Sequence, residues 1–130
     1  MIYTLLVDAN VSFRQALSDV LHVYFPSIGV EEAGDVAEAL SKVESLRPDI
    51  IFMDNQLPEE NGLDLSREIK HVYDDIVIVI LTTNNQPEYR QQALRNGADY
   101  YISKGDDSCM EEILTQIEGV LDSSVTHRSK

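Results

Sequence analysis

Asp8, Asp54, Thr82 and Lys104 are the side chains of this sequence that could do chemistry together: two carboxylates, a hydroxyl and an ammonium. Each stands at or just past the end of an apolar run. Ile2 to Val7 leads to Asp8, Ile50 to Met53 to Asp54, Ile76 to Leu81 to Thr82, and Tyr100 to Ile102 to Lys104. Continuous apolar runs of this length are expected to be buried parallel strands, and open parallel sheets carry their sites at the carboxyl edge. Gathered there, the four groups suit metal-assisted phosphoryl transfer onto Asp54. A carboxylate can attack phosphorus only if cations neutralise the approaching oxygens. Mg2+ suits this task, because it binds through one or two carboxylates plus waters and substrate oxygens. Asp8 and Asp54 would supply the carboxylates and the backbone carbonyl of Gln56 a further oxygen. Thr82 and Lys104 would each contact a phosphoryl oxygen. Taken singly, Asp54 reads as a solvated strand end, Asp8 as a helix cap, Thr82 as a strand residue and Lys104 as a surface charge. Their joint placement favours a phosphate cradle.

Helices must separate those strands. Phe13, Ala16, Leu17, Val20, Leu21 and Tyr24 recur at helical spacing until Phe25-Pro26. Ile28 to Ala33 reads as a short strand. Asp35 can cap a second helix whose stripe is Val36, Ala39, Leu40, Val43 and Leu46. Leu63, Leu65, Ile69 and Val72 mark a third, and Pro87 opens a fourth that Gly97 closes. Met110, Ile113, Leu114, Ile117 and Leu121 mark a fifth. Five strands alternating with five helices predict an α/β, flavodoxin-like, doubly wound parallel sheet of strand order 2-1-3-4-5, with helices on both faces. One domain over residues 1–121 is expected, followed by a polar segment, 122–130, read as a disordered tail or truncated linker.

With 130 residues and 43% hydrophobic content the chain can bury a core without staples. A formal net charge of −13 argues against direct nucleic-acid or anionic-membrane binding. The single cysteine, Cys109, excludes an internal disulfide and reads as a small helix-face residue. Met1 leads directly into a strand, and no apolar stretch approaches the ~20 residues of a membrane span, so a cytoplasmic protein is expected. His22, His71 and His127 share no ligand spacing.

In order and spacing, Leu5-Leu6-Val7-Asp8, Met53-Asp54 with Pro58 and Asn61-Gly62, Leu81-Thr82-Thr83, and Gly97-Ala98-Asp99-Tyr100-Tyr101-Ile102-Ser103-Lys104 resemble the receiver domain of two-component response regulators. The resemblance runs from about Ile2 to Leu121. It implies that Asp54 is the phosphoacceptor, Asp8 an acidic-pocket residue, Lys104 the conserved ammonium, Thr82 the switch hydroxyl and Tyr101 the switch aromatic. It further implies a histidine kinase or phosphotransfer protein as donor, Mg2+ as cofactor, and a face of fourth helix, fifth strand and fifth helix that changes on phosphorylation and could form a homodimer. Gln56 and Asn84 occupy positions that tune dephosphorylation in the family. A DNA-binding helix-turn-helix output in a longer chain is the expected missing partner, judged from the Phe13-Arg14 region and the Lys104 turn.

Two positions depart from the family pattern. Receivers usually carry two consecutive acids after the first strand, the second ligating Mg2+ directly, and here Ala9 takes that place. Lys104-Gly105 replaces the common lysine-proline pair, a milder change. Ala9 therefore sustains an alternative, a pseudo-receiver acting through protein contacts with weak or absent Mg2+-dependent phosphorylation, unless Asp8 shifts or Asn10 helps. A flavin carrier of the same fold would need a Gly/Ser/Thr-rich phosphate loop after the first strand. Asp8-Ala9-Asn10-Val11 puts an acid there instead.

Overall fold

The computed structural model describes residues 2–58, 60–83, 86–105 and 107–128, with side chains as far as residue 122. Among them the chain alternates strictly: β1 (Tyr3–Val7), α1 (Val11–Tyr24), β2 (Gly29–Ala33), α2 (Val36–Leu46), β3 (Ile50–Asp54), α3 (Gly62–Val72), β4 (Val77–Thr82), α4 (Pro87–Arg95), β5 (Tyr100–Ser103) and α5 (Cys109–Arg128). The five strands form one parallel sheet in the order β2-β1-β3-β4-β5, as expected from the apolar runs.

Because side chains alternate across a strand, each apolar run feeds two cores. Leu5, Val7, Ile51, Met53, Ile78 and Ile80 face α2, α3 and α4, where they meet Ala39, Val43, Leu65, Ile69 and Ala93. Leu6, Ile50, Phe52, Val79, Leu81 and Ile102 face α1 and α5, meeting Leu17, Leu21, Ile113 and Ile117. Burial on both faces explains why these strands read as unbroken apolar stretches rather than alternating ones.

The helix ends are chemically specified. Asn10 caps α1 by accepting from the Phe13 N–H, Asp35 caps α2 by accepting from Glu38, and Asn61 caps α3 by accepting from Leu63. Pro87 opens α4, and Gly97, at φ +97°, turns the chain after it in the left-handed region where glycine carries no steric cost.

The helix stripes need one correction. Tyr24, Leu40 and Val72, assigned to apolar stripes, are exposed, because the core contacts only the central rows of each helix. Asp8 does not cap α1; Asn10 does, two residues later. Beyond Leu121, α5 continues to Arg128. Neither Pro nor Gly lies between Leu121 and Arg128 to interrupt the backbone ladder, although the apolar stripe stops at Leu121.

Candidate functional site

Strand register brings the reactive groups together. Val7 pairs with Met53, Asp54 with Leu81, and Thr82 with Ser103. Asp8, Asp54, Thr82 and Lys104 therefore fall within about one residue of a common level at the carboxyl edge. The Lys104 N–H donates to the Thr82 carbonyl at 2.7 Å, which extends the β4–β5 pairing to the edge itself. Strand parity then divides the set. Asp8, Asp54 and Lys104 continue the rows of Leu6, Phe52 and Ile102, on the side of α1 and α5. Thr82 and Tyr101 continue the rows on the side of α3 and α4.

On the first side, the Lys104 ammonium lies 2.7 Å from Asp8 Oδ2 and 3.7 Å from Asp54 Oδ2. Asp8 is almost wholly buried. Its Oδ1 accepts from the Asn10 N–H at 2.8 Å, and its carbonyl accepts from the Arg14 guanidinium. Arg14 also donates to Glu32 at 2.8 Å, tying the start of α1 to β2. Asp54 Oδ1 accepts from the Gln56 N–H at 3.2 Å. Burial, followed by the Asp8 charge, raises the Asp54 pKa above the usual carboxylate value; Lys104 and the Gln56 N–H act against the rise without cancelling it. Asp54 is thus a partly desolvated carboxylate held beside a like charge, a state that favours reaction with or binding of a cationic or electrophilic group.

On the second side, Thr82 is fully buried. Tyr101 is buried as well, its ring 6.2 Å from that of Tyr89 on α4. The Tyr101 hydroxyl lies beside Thr82 but completes no well-formed hydrogen bond among the described residues. Burial raises its pKa, with Thr82 acting in the opposite sense. Tyr89 in turn accepts from the Asn55 side-chain amide at 2.8 Å, so the residue that follows Asp54 is bonded directly to α4.

The loop that carries Asp54 is braced from behind. Gly62 N–H donates to the Asn55 carbonyl at 2.9 Å, and Gln56 pairs with Asn61 in an isolated antiparallel bridge. A Cβ on Gly62 would lie 2.2 Å from the Asp54 carbonyl oxygen and 2.9 Å from Asn55 Cα. Both neighbours are backbone and cannot swing aside. Gly62→Ala is therefore expected to destabilise the chain by about 1–3 kcal/mol, the usual cost of overpacking. Denaturant unfolding with an unchanged m-value and a lower midpoint would verify it; an unchanged midpoint would show that the loop yields freely.

The Mg2+ expected from sequence meets a thin donor set. Asp8 and Asp54 meet the minimum of one or two carboxylates, and Gln56 adjoins them. Ala9 is exposed and adds no side-chain oxygen, while Asn10 Oδ1 is engaged as the α1 cap. Among the described residues, no group of three or more His, Cys, Asp or Glu is placed to hold a metal. The residues fit Mg2+ only with waters and a bound phosphoryl oxygen completing the shell.

The structure thus brings Asp8, Asp54 and Lys104 into contact and sets Thr82 and Tyr101 side by side behind them. Asn84 lies outside the described residues. His22 and His71 are exposed at the ends of separate helices, α1 and α3. Cys109 is buried at the start of α5. Sequence reasoning missed Phe13, whose ring lies 4.4 Å from the Lys104 ammonium, and the Asn55–Tyr89 link. Both are long-range contacts of ordinary residue types, which carry no local signal. No helix among the described residues is long and apolar enough to cross a membrane.

Comparison with known proteins shows the family and the fold. The family model of the response regulator receiver domain matches residues 4–118. The DNA-binding transcriptional activator DevR/DosR of Mycobacterium tuberculosis is 36% identical over 104 residues, covering 80% of this chain and 48% of the relative. The response regulator MprA of Mycobacterium avium is 33% identical over 117 residues, covering 90% of this chain and 50% of the relative. The chain therefore spans about half the length of these curated relatives. A two-component response regulator of the LuxR family from Aurantimonas superposes with a TM-score of 0.83 at 28% identity, covering 93% of this chain and 85% of that one.

Proposed function

The chain belongs to the response regulator receiver domain family, and from that premise we propose that it accepts a phosphoryl group on Asp54 from a histidine kinase or phosphotransfer protein and switches its α4–β5–α5 face in response. The observation that supports this reading most is the contact of Lys104 with both Asp8 and Asp54 at the sheet edge. One Asp54 oxygen forms the new bond to phosphorus as the donor's bond to phosphorus breaks. Lys104 is placed to move from Asp8 toward a phosphoryl oxygen, and the Gln56 N–H to donate to another. Asp8, Asp54 and the Gln56 carbonyl would hold Mg2+, typical of the family, which supplies neutralising charge. Gln56 and Asn84, by their sequence positions relative to Asp54 and Thr82, would tune the later hydrolysis of the acyl phosphate, as the family resemblance implies.

The added charge then biases a two-state element. Thr82 is drawn toward the phosphoryl group. Tyr101, already buried beside Thr82 and Tyr89, changes partners rather than entering from solvent. The face that responds could pair two receivers, and a DNA-binding output of the kind named for one relative would join beyond the receiver unit, residues 1–121.

The test is intact-mass spectrometry after incubation with acetyl phosphate, with and without Mg2+. Mg2+-dependent addition of one phosphoryl group per chain is the expected result. A folded chain that takes none from acetyl phosphate or from a cognate kinase overturns this reading. It would leave the second one, favoured by Ala9: a pseudo-receiver that keeps the fold and signals through protein contacts.

A further inference from the structure

We infer that Phe13 is a positioning residue of this site: its ring holds the Lys104 ammonium between Asp8 and Asp54, where an incoming phosphoryl oxygen would meet it. The inference rests on the reading of Asp54 as phosphoacceptor. Lysine reaches its charge through four rotatable bonds, and fixing such a chain costs more entropy than fixing almost any other. Among the described residues the ammonium lies beside Asp8 at 2.7 Å, Asp54 at 3.7 Å and the Phe13 ring at 4.4 Å. The side chain is only 13% exposed. An aromatic face attracts a cation through its quadrupole without occupying a particular N–H. The ammonium is thereby held in place while its donors stay available for oxygens. A carboxylate in the position of Phe13 would instead compete with the phosphoryl group for them.

The ring is set in advance. The Phe13 N–H donates to Asn10 Oδ1 at 3.0 Å, and Asn10 N–H donates to Asp8 Oδ1 at 2.8 Å, so one short segment orients both the carboxylate and the ring that bracket the ammonium. Arg14, the next residue, anchors that segment on the Asp8 carbonyl and on Glu32. Ala9 contributes no charge within it.

The test uses the full chain with Phe13→Leu, which keeps apolar bulk and removes the ring face, Phe13→Tyr, which restores the face, and Phe13→Met should the leucine variant not fold. Selective lysine labelling, assigned with Lys104→Arg, should show the Lys104 ε-methylene protons shifted upfield by the ring in wild type and in Phe13→Tyr, and at ordinary positions in Phe13→Leu. Phosphoryl incorporation from acetyl phosphate at saturating Mg2+ should fall about tenfold in Phe13→Leu, between the scales of an exposed and a fully desolvated cation–π contact, and recover in Phe13→Tyr. An ordinary Lys104 shift in wild type, or a wild-type rate in Phe13→Leu, overturns the inference. If wild type takes no phosphoryl group from acetyl phosphate or from a cognate kinase, the Asp54 reading fails, and the ring shift alone still decides whether Phe13 holds the ammonium.

Discussion

Asp54→Asn should take phosphoryl incorporation to background and, in the same protein, raise thermal stability. The first effect follows from chemistry: an amide oxygen is a poor nucleophile, and Asp8, the other carboxylate of the pocket, is held by Lys104 and the Asn10 N–H. The second follows from electrostatics. Burial and the Asp8 charge raise the Asp54 pKa in the folded state. A carboxylate whose folded pKa lies above its unfolded one lowers stability as pH rises through the folded value, since the unfolded chain ionises at less cost. The wild type carries that penalty wherever Asp54 is ionised in the folded chain, and the uncharged asparagine side chain of the variant would carry none. Lys104 loses little by the change, because its shorter ion pair is with Asp8. The melting temperature of the variant should exceed that of wild type at pH 7, by about 4 °C for each kcal/mol relieved in a domain of this size. The gap should narrow on acidification, as Asp54 becomes protonated in wild type. Mass spectrometry and calorimetry on the same preparations separate the two effects. Loss of modification with a lowered melting temperature would mean that Asp54 is structural and that its charge is stabilised by the fold rather than penalised.

That opposition between function and stability shows where sequence was a sufficient guide. Asp8, Asp54, Thr82 and Lys104 were legible because each closes an apolar run, and parallel strands in register must place such residues at one edge. The strand order followed from alternation and length, and the capping positions at Asp35, Pro87 and Gly97 followed from local backbone chemistry. Less was legible where two residues compete for one role. Asp8 and Asn10 are both good helix caps, and the outcome is decided by Lys104, 96 positions away from Asp8. The Phe13 ring, the Asn55–Tyr89 bond and the outward turn of Leu40 depend likewise on where a neighbouring element lands. The helical course of the chain beyond Leu121 escaped for a different reason: absence of an apolar stripe says that a segment has no core to pack on, not that its backbone leaves the helix.

Ala9→Asp should raise Mg2+ affinity by at least the ~10–100-fold that accompanies changes around a metal site. Position 9 is exposed and directly follows Asp8, so an aspartate there loses little hydration, and its oxygen would join those of Asp8 and Asp54. Without metal the variant gathers a third negative charge beside a carboxylate whose pKa burial and the Asp8 charge already raise, and should be less stable than wild type. With Mg2+ the order should reverse, because a ligand that binds only the folded state stabilises it by RT ln(1 + [L]/Kd). Melting temperatures across a Mg2+ titration therefore report the change without any phosphoryl donor, and should cross for the two proteins. The rate of modification by acetyl phosphate at limiting Mg2+ should rise in parallel in Ala9→Asp, while at saturating Mg2+ the two proteins should approach one another. Equal Mg2+ dependence of the two melting curves would mean that Asp8 and Asp54 already suffice. Ala9 would then cease to favour the pseudo-receiver, and the thin donor set would have to be completed by oxygens other than side chains at the β1 edge.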